Sequence, residues 1–212
     1  ALRNAYKYAI DLFTIQLNSA EDNPCLILEK DKLISCSNYE PISWILGAEN
    51  LGIALSHLSK NSCFRIIKLA NPDFTKLPRF LSPKDNVLGY ATIQKVFTSL
   101  DAEIRHLSNP STADYYSLAG EIEDHANNTI YVVEKLKRIV DNMLYIFAIE
   151  LMHTAQAIDL RTDWILGEGT KKAYEEIRKV LPFYSEDRPI YKDIKTMYNL
   201  IKSDEFIKNI LD

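Results

Sequence analysis

The chain has 212 residues, of which 47% are hydrophobic and 25% charged, and it contains only six glycines and eight prolines. This composition excludes disordered, collagen-like and glycine-rich proteins and favours long helices, and the length suffices for a sizeable core. The formal net charge of −4 gives no reason to expect nucleic-acid partners, and no stretch reaches the roughly 18 apolar residues of a membrane span. Three cysteines without a paired spacing are typical of a reducing compartment, so we predict a cytoplasmic protein without a membrane partner.

The first part of the chain alternates helical patterns with turns. Apolar residues at three- and four-residue spacing predict a helix that stops before Pro24, and two short apolar runs on either side of a charged turn predict a small β-hairpin. Proline at the first turn favours a second helix, and three prolines favour a loop after it. The predicted elements are a helix over 1–18, the hairpin near 25–35, a helix from Pro41 to Leu69, a loop over 71–86 and a helix over 87–107.

The segment from Glu121 to Leu160 contains neither proline nor glycine, and its apolar residues recur at helical spacing. A helix of that length would measure about 60 Å, whereas the radius of gyration expected for 212 residues is only about 17 Å. Such a helix needs a large bundle or partner chains to cover it. With shorter helices over 170–181 and 191–211, the sequence predicts an all-α, long-helix bundle, with bundle helices over 1–165 and short C-terminal helices over 166–212.

Few residues indicate chemistry by spacing alone. The four histidines show no metal-binding spacing, no glycine-rich phosphate loop occurs, and we predict no metal site. Three polar stretches stand out, at 18–24, 35–40 and 121–125. As structural features they would be a helix stop, a loop before a helix, and an acidic first helical turn.

Taken together, these stretches resemble the C-terminal half of the histidine and aromatic amino-acid ammonia-lyases. The resemblance extends over nearly all 212 residues. Its motifs are LNSAEDNP at 17–24, NYE at 38–40, the stretch 85–94 with Gly89, Tyr90 and Gln94, EIRHLSNP at 103–110, EDH at 123–125, the helix residues 148–161 and EDRPIYKD at 186–193.

The resemblance implies a homotetramer with a central bundle of long helices. It also implies elimination of ammonia from an α-amino acid such as histidine, giving an α,β-unsaturated acid as in histidine degradation. The family's cofactor is an electrophilic 4-methylideneimidazol-5-one formed from an Ala-Ser-Gly triplet, which these 212 residues do not contain. We therefore expect the N-terminal half of the lyase to be required as a partner, and the isolated chain to be inactive.

The resemblance also implies site residues. Glu123 matches the catalytic glutamate that faces substrate and cofactor, where a carboxylate could hold an imidazole N–H or the departing ammonium. Tyr39 matches a pocket phenylalanine that would stack on the substrate, and packing against the bundle is its alternative role. Glu40 stands where the family has a histidine or glutamine, so it is either a substrate-binding group or a solvated loop acid.

Two further departures concern the presumed pocket edge. Glu121 and Ile122 stand where the family has Asn-Gln, which changes both polarity and charge there. These differences leave open a second interpretation, a non-catalytic scaffold or interaction subunit derived from the lyase fold.

Overall fold

The computed structural model describes residues 1–113, 116–122, 127–161, 163 and 165–211 of the chain. Within them it contains eight α-helices and one two-stranded antiparallel hairpin, which confirms the predicted fold class. The elements are α1 (Leu2–Leu17), β1 (Cys25–Ile27), β2 (Lys32–Ile34), α2 (Ile42–Leu69), α3 (Pro72–Thr75), α4 (Gln94–Leu107), α5 (Thr129–Leu160), α6 (Glu168–Val180), α7 (Ile190–Lys202) and α8 (Asp204–Leu211). No helix among these residues is long and apolar enough to cross a membrane.

The chain divides into two compact units. The first unit comprises residues 1–57 and 105–139, and the second comprises 58–104 and 140–212. The predicted division into bundle helices over 1–165 and C-terminal helices over 166–212 stays a prediction.

Helices α1 and α2 approach closely in the first unit. A Cβ atom built on Gly47 would lie 2.9 Å from the Ala9 Cα, so only glycine permits this contact without a shift of backbone. Beside it, the rings of Phe13 and Trp44 meet edge to face with centroids 5.4 Å apart. A small core, which includes Ile45 from α2, Ala48 and Val132, continues the packing toward α5.

The hairpin lies where the sequence predicts it. Cys25 pairs with Ile34, and the side-chain oxygen of Asn23 accepts hydrogen bonds from the Ser35 hydroxyl and the Cys36 N–H, each at 3.2 Å. Asn23, which belongs to the polar turn after α1, therefore closes the open end of the hairpin.

The second unit has a larger core built around α5. Ile146, Ile149 and Met152 are completely buried, as is Phe97 from α4. Burial of side chains of this size contributes roughly 1.5–3 kcal/mol each.

Polar side chains near the end of α5 hold the C-terminal part of the second unit. Gln156 Nε2 donates to the Tyr184 carbonyl at 3.1 Å, and its Oε1 accepts from the Tyr184 N–H at 3.0 Å. Asp159 pairs with Arg178 and accepts from the Tyr174 hydroxyl. The residues that resemble the family's closing helix thus anchor the chain that follows.

Two predicted helix starts are wrong. Helix α4 begins at Gln94 instead of residue 87, because Gly89 has a φ of +61° and the Tyr90 N–H donates to the Phe80 carbonyl at 2.9 Å. Helix α5 begins at Thr129 instead of Glu121, and at 32 residues it measures about 48 Å instead of 60 Å. A turn with positive φ at Gly120 and Glu121 precedes it.

Two smaller predictions also need correction. The segment 71–86 is not simply a loop, since it contains α3 and a short 3-10 turn at Arg79–Leu81. The last predicted helix, 191–211, is divided at Ser203 into α7 and α8, where extended backbone interrupts the helical hydrogen bonds.

Candidate functional site

Two of the three predicted site residues lie in the turn that precedes α2. The turn is fixed by Gln16, whose amide donates to the Asn38 carbonyl at 2.7 Å, and by the Glu40 N–H, which donates to the Ser37 carbonyl at 2.9 Å. The Tyr39 side chain is 51% exposed, so within this chain it does not belong to the packed core. The predicted catalytic residue, Glu123, lies outside the described residues.

Glu40 lines an open cleft of about 690 Å³ in the first unit. The other wall of the cleft is the start of α5 and the residues before it. Its lining consists of Glu40, Pro41, Asn127, Asn128, Thr129, Ile130, Tyr131 and Glu134.

Asn127 fixes the Glu40 carboxylate. The Asn127 Oδ1 accepts from the Thr129 hydroxyl, and its Nδ2 donates to Glu40 Oε2 at 2.8 Å. Only 7% of the Asn127 side chain is exposed. The Glu40 carboxylate is therefore hydrogen-bonded and half-buried, and its role in substrate binding stays a prediction.

A buried ion pair joins α2 to α5 one helical turn beyond Tyr131. Lys135 Nζ lies 3.2 Å from Glu49 Oε2, and both side chains are about 95% buried. Lys135 also donates to the Asn109 carbonyl at 2.5 Å, and Glu49 Oε1 accepts from the Ser111 N–H at 2.7 Å.

Asn127, Glu49 and Lys135 are not among the residues predicted from the sequence. A usable signal existed for the ion pair, because Glu49 and Lys135 each stand one helical turn from apolar core residues, Ile45 and Val132. A charged residue at a core position of a helix indicates that it has a buried partner, without saying which residue that partner is. Asn127 gave no comparable signal.

The remaining candidates at the pocket edge are solvent-exposed. Glu121 is exposed, and 84% of the Ile122 side chain is accessible in this chain. Both side chains are available to other parts of a larger protein or to solvent.

The described histidines are not clustered with other potential metal ligands. Among the described residues, no group of three histidine, cysteine, aspartate or glutamate side chains could hold a metal ion. His57 and His106 are exposed, and His125 lies outside the described residues. His153 is buried in the second unit with Nδ1 2.8 Å from the Ile149 carbonyl, and burial lowers its pKa to about 4.

The sequence matches a family model. The model of the aromatic amino acid lyases covers residues 1–179. Curated relatives include the histidine ammonia-lyases of Alkaliphilus oremlandii, 35% identical over 211 residues, and Alkaliphilus metalliredigens, 32% identical over 211 residues. In both cases the match covers 99% of this chain and 42% of the relative.

Solved structures agree with the family assignment. The ergothioneine-degrading ergothionase of Treponema denticola, in complex with desmethyl-ergothioneine sulfonic acid, is 51% identical with a TM-score of 0.88, covering 99% of this chain and 41% of that one. The histidine ammonia-lyase of Trypanosoma cruzi is 28% identical with a TM-score of 0.94, covering 99% and 42%. The chain thus spans about two-fifths of the length of its relatives, and it belongs to the aromatic amino acid lyase family.

Proposed function

We propose that this chain forms the C-terminal part of a lyase that eliminates an amine from an imidazole-bearing α-amino acid. Membership of the aromatic amino acid lyase family carries this proposal. The histidine ammonia-lyases among the relatives and the imidazole-derived compound degraded by the Treponema denticola enzyme support the substrate class. The relatives named above give no support to the alternative of a non-catalytic scaffold.

The reaction breaks the Cα–N bond and removes a proton from the β-carbon, leaving an α,β-unsaturated acid. Because the β-proton is weakly acidic, the family's methylideneimidazolone supplies an electrophile that draws electrons from the substrate. The cleft offers carboxylate, amide and phenol side chains, which can contact a substrate. It does not contain the Ala-Ser-Gly triplet from which the methylideneimidazolone forms. This chain's part is accordingly to bind and orient the amino acid.

Glu123 and Glu40 are the proposed polar contacts. A carboxylate at Glu123 would hold an imidazole N–H or the departing amine through a charge-assisted hydrogen bond. Glu40, held by Asn127, would present a second carboxylate to the same substrate, and Tyr39 an aromatic surface. All three contacts are proposals.

The cleft favours a positively charged ligand. Its described lining contains two carboxylates and an aromatic ring, with no lysine or arginine. The carboxylates are Glu40 and Glu134, and Glu134 lies 3.8 Å from Lys137 Nζ. The ring is that of Tyr131, whose centroid lies 5.5 Å from Lys135 Nζ. Carboxylates attract a cation directly, and an aromatic face attracts both protonated and quaternary ammonium groups.

A betaine is the second candidate substrate. Ergothioneine is the trimethylbetaine of 2-thiohistidine, so elimination from it would release trimethylamine in place of ammonia. The 51% identity to the Treponema denticola ergothionase favours ergothioneine over histidine as the substrate. The glutamate at Glu40 also favours ergothioneine, because the family resemblance implies a histidine or glutamine there.

The test compares both substrates with the full-length protein. We expect a conjugated imidazole-acrylate product together with free ammonia from histidine or free trimethylamine from ergothioneine. Glu123→Gln should lower kcat/KM about 10- to 150-fold, the equivalent of about 1.5–3 kcal/mol for a hydrogen bond to a charged group. The matched control is Glu168→Gln. The Glu168 side chain is 86% exposed, so this variant should retain wild-type activity.

Release of neither amine, or an unchanged rate in Glu123→Gln, would contradict the proposal. Release of ammonia alone would identify the histidine-type activity, and release of trimethylamine alone would identify the betaine-type activity.

The partners follow from the same proposal. We propose that the N-terminal half of the lyase and further copies of the protein, a tetramer in the family, cover much of the apolar surface of the first unit. The cytoplasmic location stays a prediction.

A further inference from the structure

The buried ion pair of Glu49 and Lys135 is bound to the protein backbone at both of its ends. Lys135 donates to the Asn109 carbonyl at 2.5 Å, and Glu49 accepts from the Ser111 N–H at 2.7 Å and from the Ser111 hydroxyl at 3.3 Å. We call this arrangement of Glu49, Lys135, Asn109 and Ser111 the ion-pair hub.

Desolvating two charges is costly, so a buried pair is a poor means of stabilising a core that apolar side chains could fill. Here, however, the hydrogen bonds of the pair fix a stretch of backbone that belongs to no helix. The pair therefore does something that two apolar residues would not do, because it binds the backbone of Asn109 and Ser111.

The hub connects to the cleft through hydrogen bonds of described residues. The Ser111 carbonyl accepts from the Asn128 amide at 2.8 Å, and the adjacent Asn127 donates to Glu40 at 2.8 Å. Ser111 is thereby joined to Glu49 on one side and to Asn128 on the other. In the sequence, Glu123 lies between Ser111 and Asn128.

From these contacts we infer that Glu49 and Lys135 are positioning residues for the substrate cleft. They do not line the cleft. They hold Ser111 and Asn128, and with them Asn127 and the Glu40 carboxylate, in the arrangement that binds substrate. This inference rests on the proposed function for its catalytic consequence, whereas its structural consequence can be measured without activity.

The first experiment measures hydrogen exchange in the full-length protein. Lys135→Met leaves the Asn109 carbonyl without its lysine donor, so we expect faster amide exchange at residues 109, 111–113 and 127–128. The matched control is Arg178→Met, which breaks a mostly buried ion pair, with side chains 15% and 19% exposed, whose contacts lie within the second unit. The control should leave exchange at those residues unchanged, and equal exchange in Lys135→Met and wild type would overturn the inference.

The second experiment is a double-mutant cycle on kcat/KM. Lys135→Met should lower kcat/KM by about 10- to 100-fold, the scale expected when a binding group is displaced by about 1 Å. If the hub acts through the cleft, most of that loss disappears in a Glu40→Gln background, because coupled sites are not additive. Strictly additive losses would overturn the inference and leave the pair a structural one.

A second variant keeps the test decisive if Lys135→Met does not fold. Glu49→Gln combined with Lys135→Met removes both charges, which a core tolerates better than one unpaired charge. It still leaves Asn109 without its lysine donor, so we expect a folded protein with raised exchange at 109 and 111–113 and lowered kcat/KM. Wild-type exchange and activity in this double variant would overturn the inference.

Failure of the proposed function gives a different result. A wild-type protein without lyase activity on any imidazole-bearing amino acid would overturn that function and the catalytic part of the inference. Unchanged exchange in an active enzyme would overturn the inference alone.

Discussion

The two units of the chain bury their apolar side chains to very different extents. Among the described residues, the first unit contains six buried apolar side chains and the second contains 24. Of the large apolar side chains that are exposed, 19 lie in the first unit and 11 in the second. The second unit thus has a core of its own, whereas the first carries an excess of accessible apolar surface.

This difference indicates different roles in a larger protein. Clustered exposed apolar side chains are typical of an interaction surface, so we expect the first unit to be the one that other parts of a longer protein cover. The first unit also contains the cleft and the buried polar residues around it, namely Asn127, Glu49 and Lys135. The buried polar Gln156 of the second unit instead fixes that unit's own chain. The candidate cleft therefore lies in the unit that buries fewer apolar side chains.

The largest expected effect tests the core of the second unit. Phe97 is completely buried, so Phe97→Ala should lower the free energy of unfolding of the 212-residue chain by about 3–5 kcal/mol. Urea denaturation followed by circular dichroism measures this change. Phe64→Ala, at a side chain that is 54% exposed in the same unit, is the matched control and should cost far less. Similar losses in both variants would mean that the second unit has no tightly packed core.

The second prediction concerns pH and the same core. His153 is neutral when buried, with a pKa of about 4 against 6.5 in an unfolded chain. Protons then bind the unfolded chain preferentially, so stability falls as the pH drops below 6.5, and the full loss is reached near pH 4. A shift of this size corresponds to about 3 kcal/mol.

Replacing the histidine tests this prediction. His153→Leu should flatten the dependence of the unfolding free energy on pH between 6.5 and 4. The control His106→Gln removes an exposed histidine and should keep the dependence. An unaltered slope in His153→Leu would assign the acid sensitivity to other groups.

The third prediction concerns the close contact between α1 and α2 in the first unit. Gly47→Ala places a methyl group 2.9 Å from the Ala9 Cα and should cost about 1–3 kcal/mol, in spite of alanine's better helix propensity. Gly169→Ala is the control, since nothing lies within 4 Å of its added Cβ, and it should stabilise the chain by up to about 1 kcal/mol. Thermal denaturation of both variants measures the difference. Equal stabilisation by the two substitutions would show that α1 is loosely attached.

The smallest effect is expected at the exposed hairpin. Leu28 is 78% exposed, so Leu28→Ala should change the stability of the 212-residue chain by less than about 0.5 kcal/mol. In the full-length protein, the same substitution should cost more if another part of the protein covers the hairpin. Denaturation of both proteins sharpens the comparison between the units, and equal small effects in both would show that this part of the first unit stays uncovered.

Local patterns in the sequence predicted much of the fold. Helices α1, α2 and α6 and the hairpin lie within a few residues of their predicted bounds, because apolar periodicity and proline positions act over short distances. The start of α5 was also within reach of the sequence. The run Asn127-Asn128-Thr129 is typical of a helix N-terminus, and the Val132 N–H donates to the Asn128 carbonyl at 2.9 Å.

The start of α4 could not be predicted from the apolar spacing. The apolar spacing of residues 87–93 is compatible with a helix, and these residues include the buried Val87, Tyr90 and Ile93. Their backbone instead follows the contact between Tyr90 and Phe80, which overrides the local preference. Gly89 was the available signal, because a positive φ there is easily reached by glycine.

The family and three candidate site residues came from motifs, which are properties of the sequence itself. What only the tertiary structure decided is how the site is held. Asn127 and Glu40 are 87 positions apart, and Lys135 and Glu49 are 86 apart. Glu49 and Lys135 stand at core positions of their helices, which indicates that each has a buried partner. Asn127 and Glu40 alone are ordinary polar residues of turns. Their pairing arises because α2 and α5 pack together in the first unit, which also brings together the residues just before each helix. No local pattern specifies which polar residue of one segment meets which of the other.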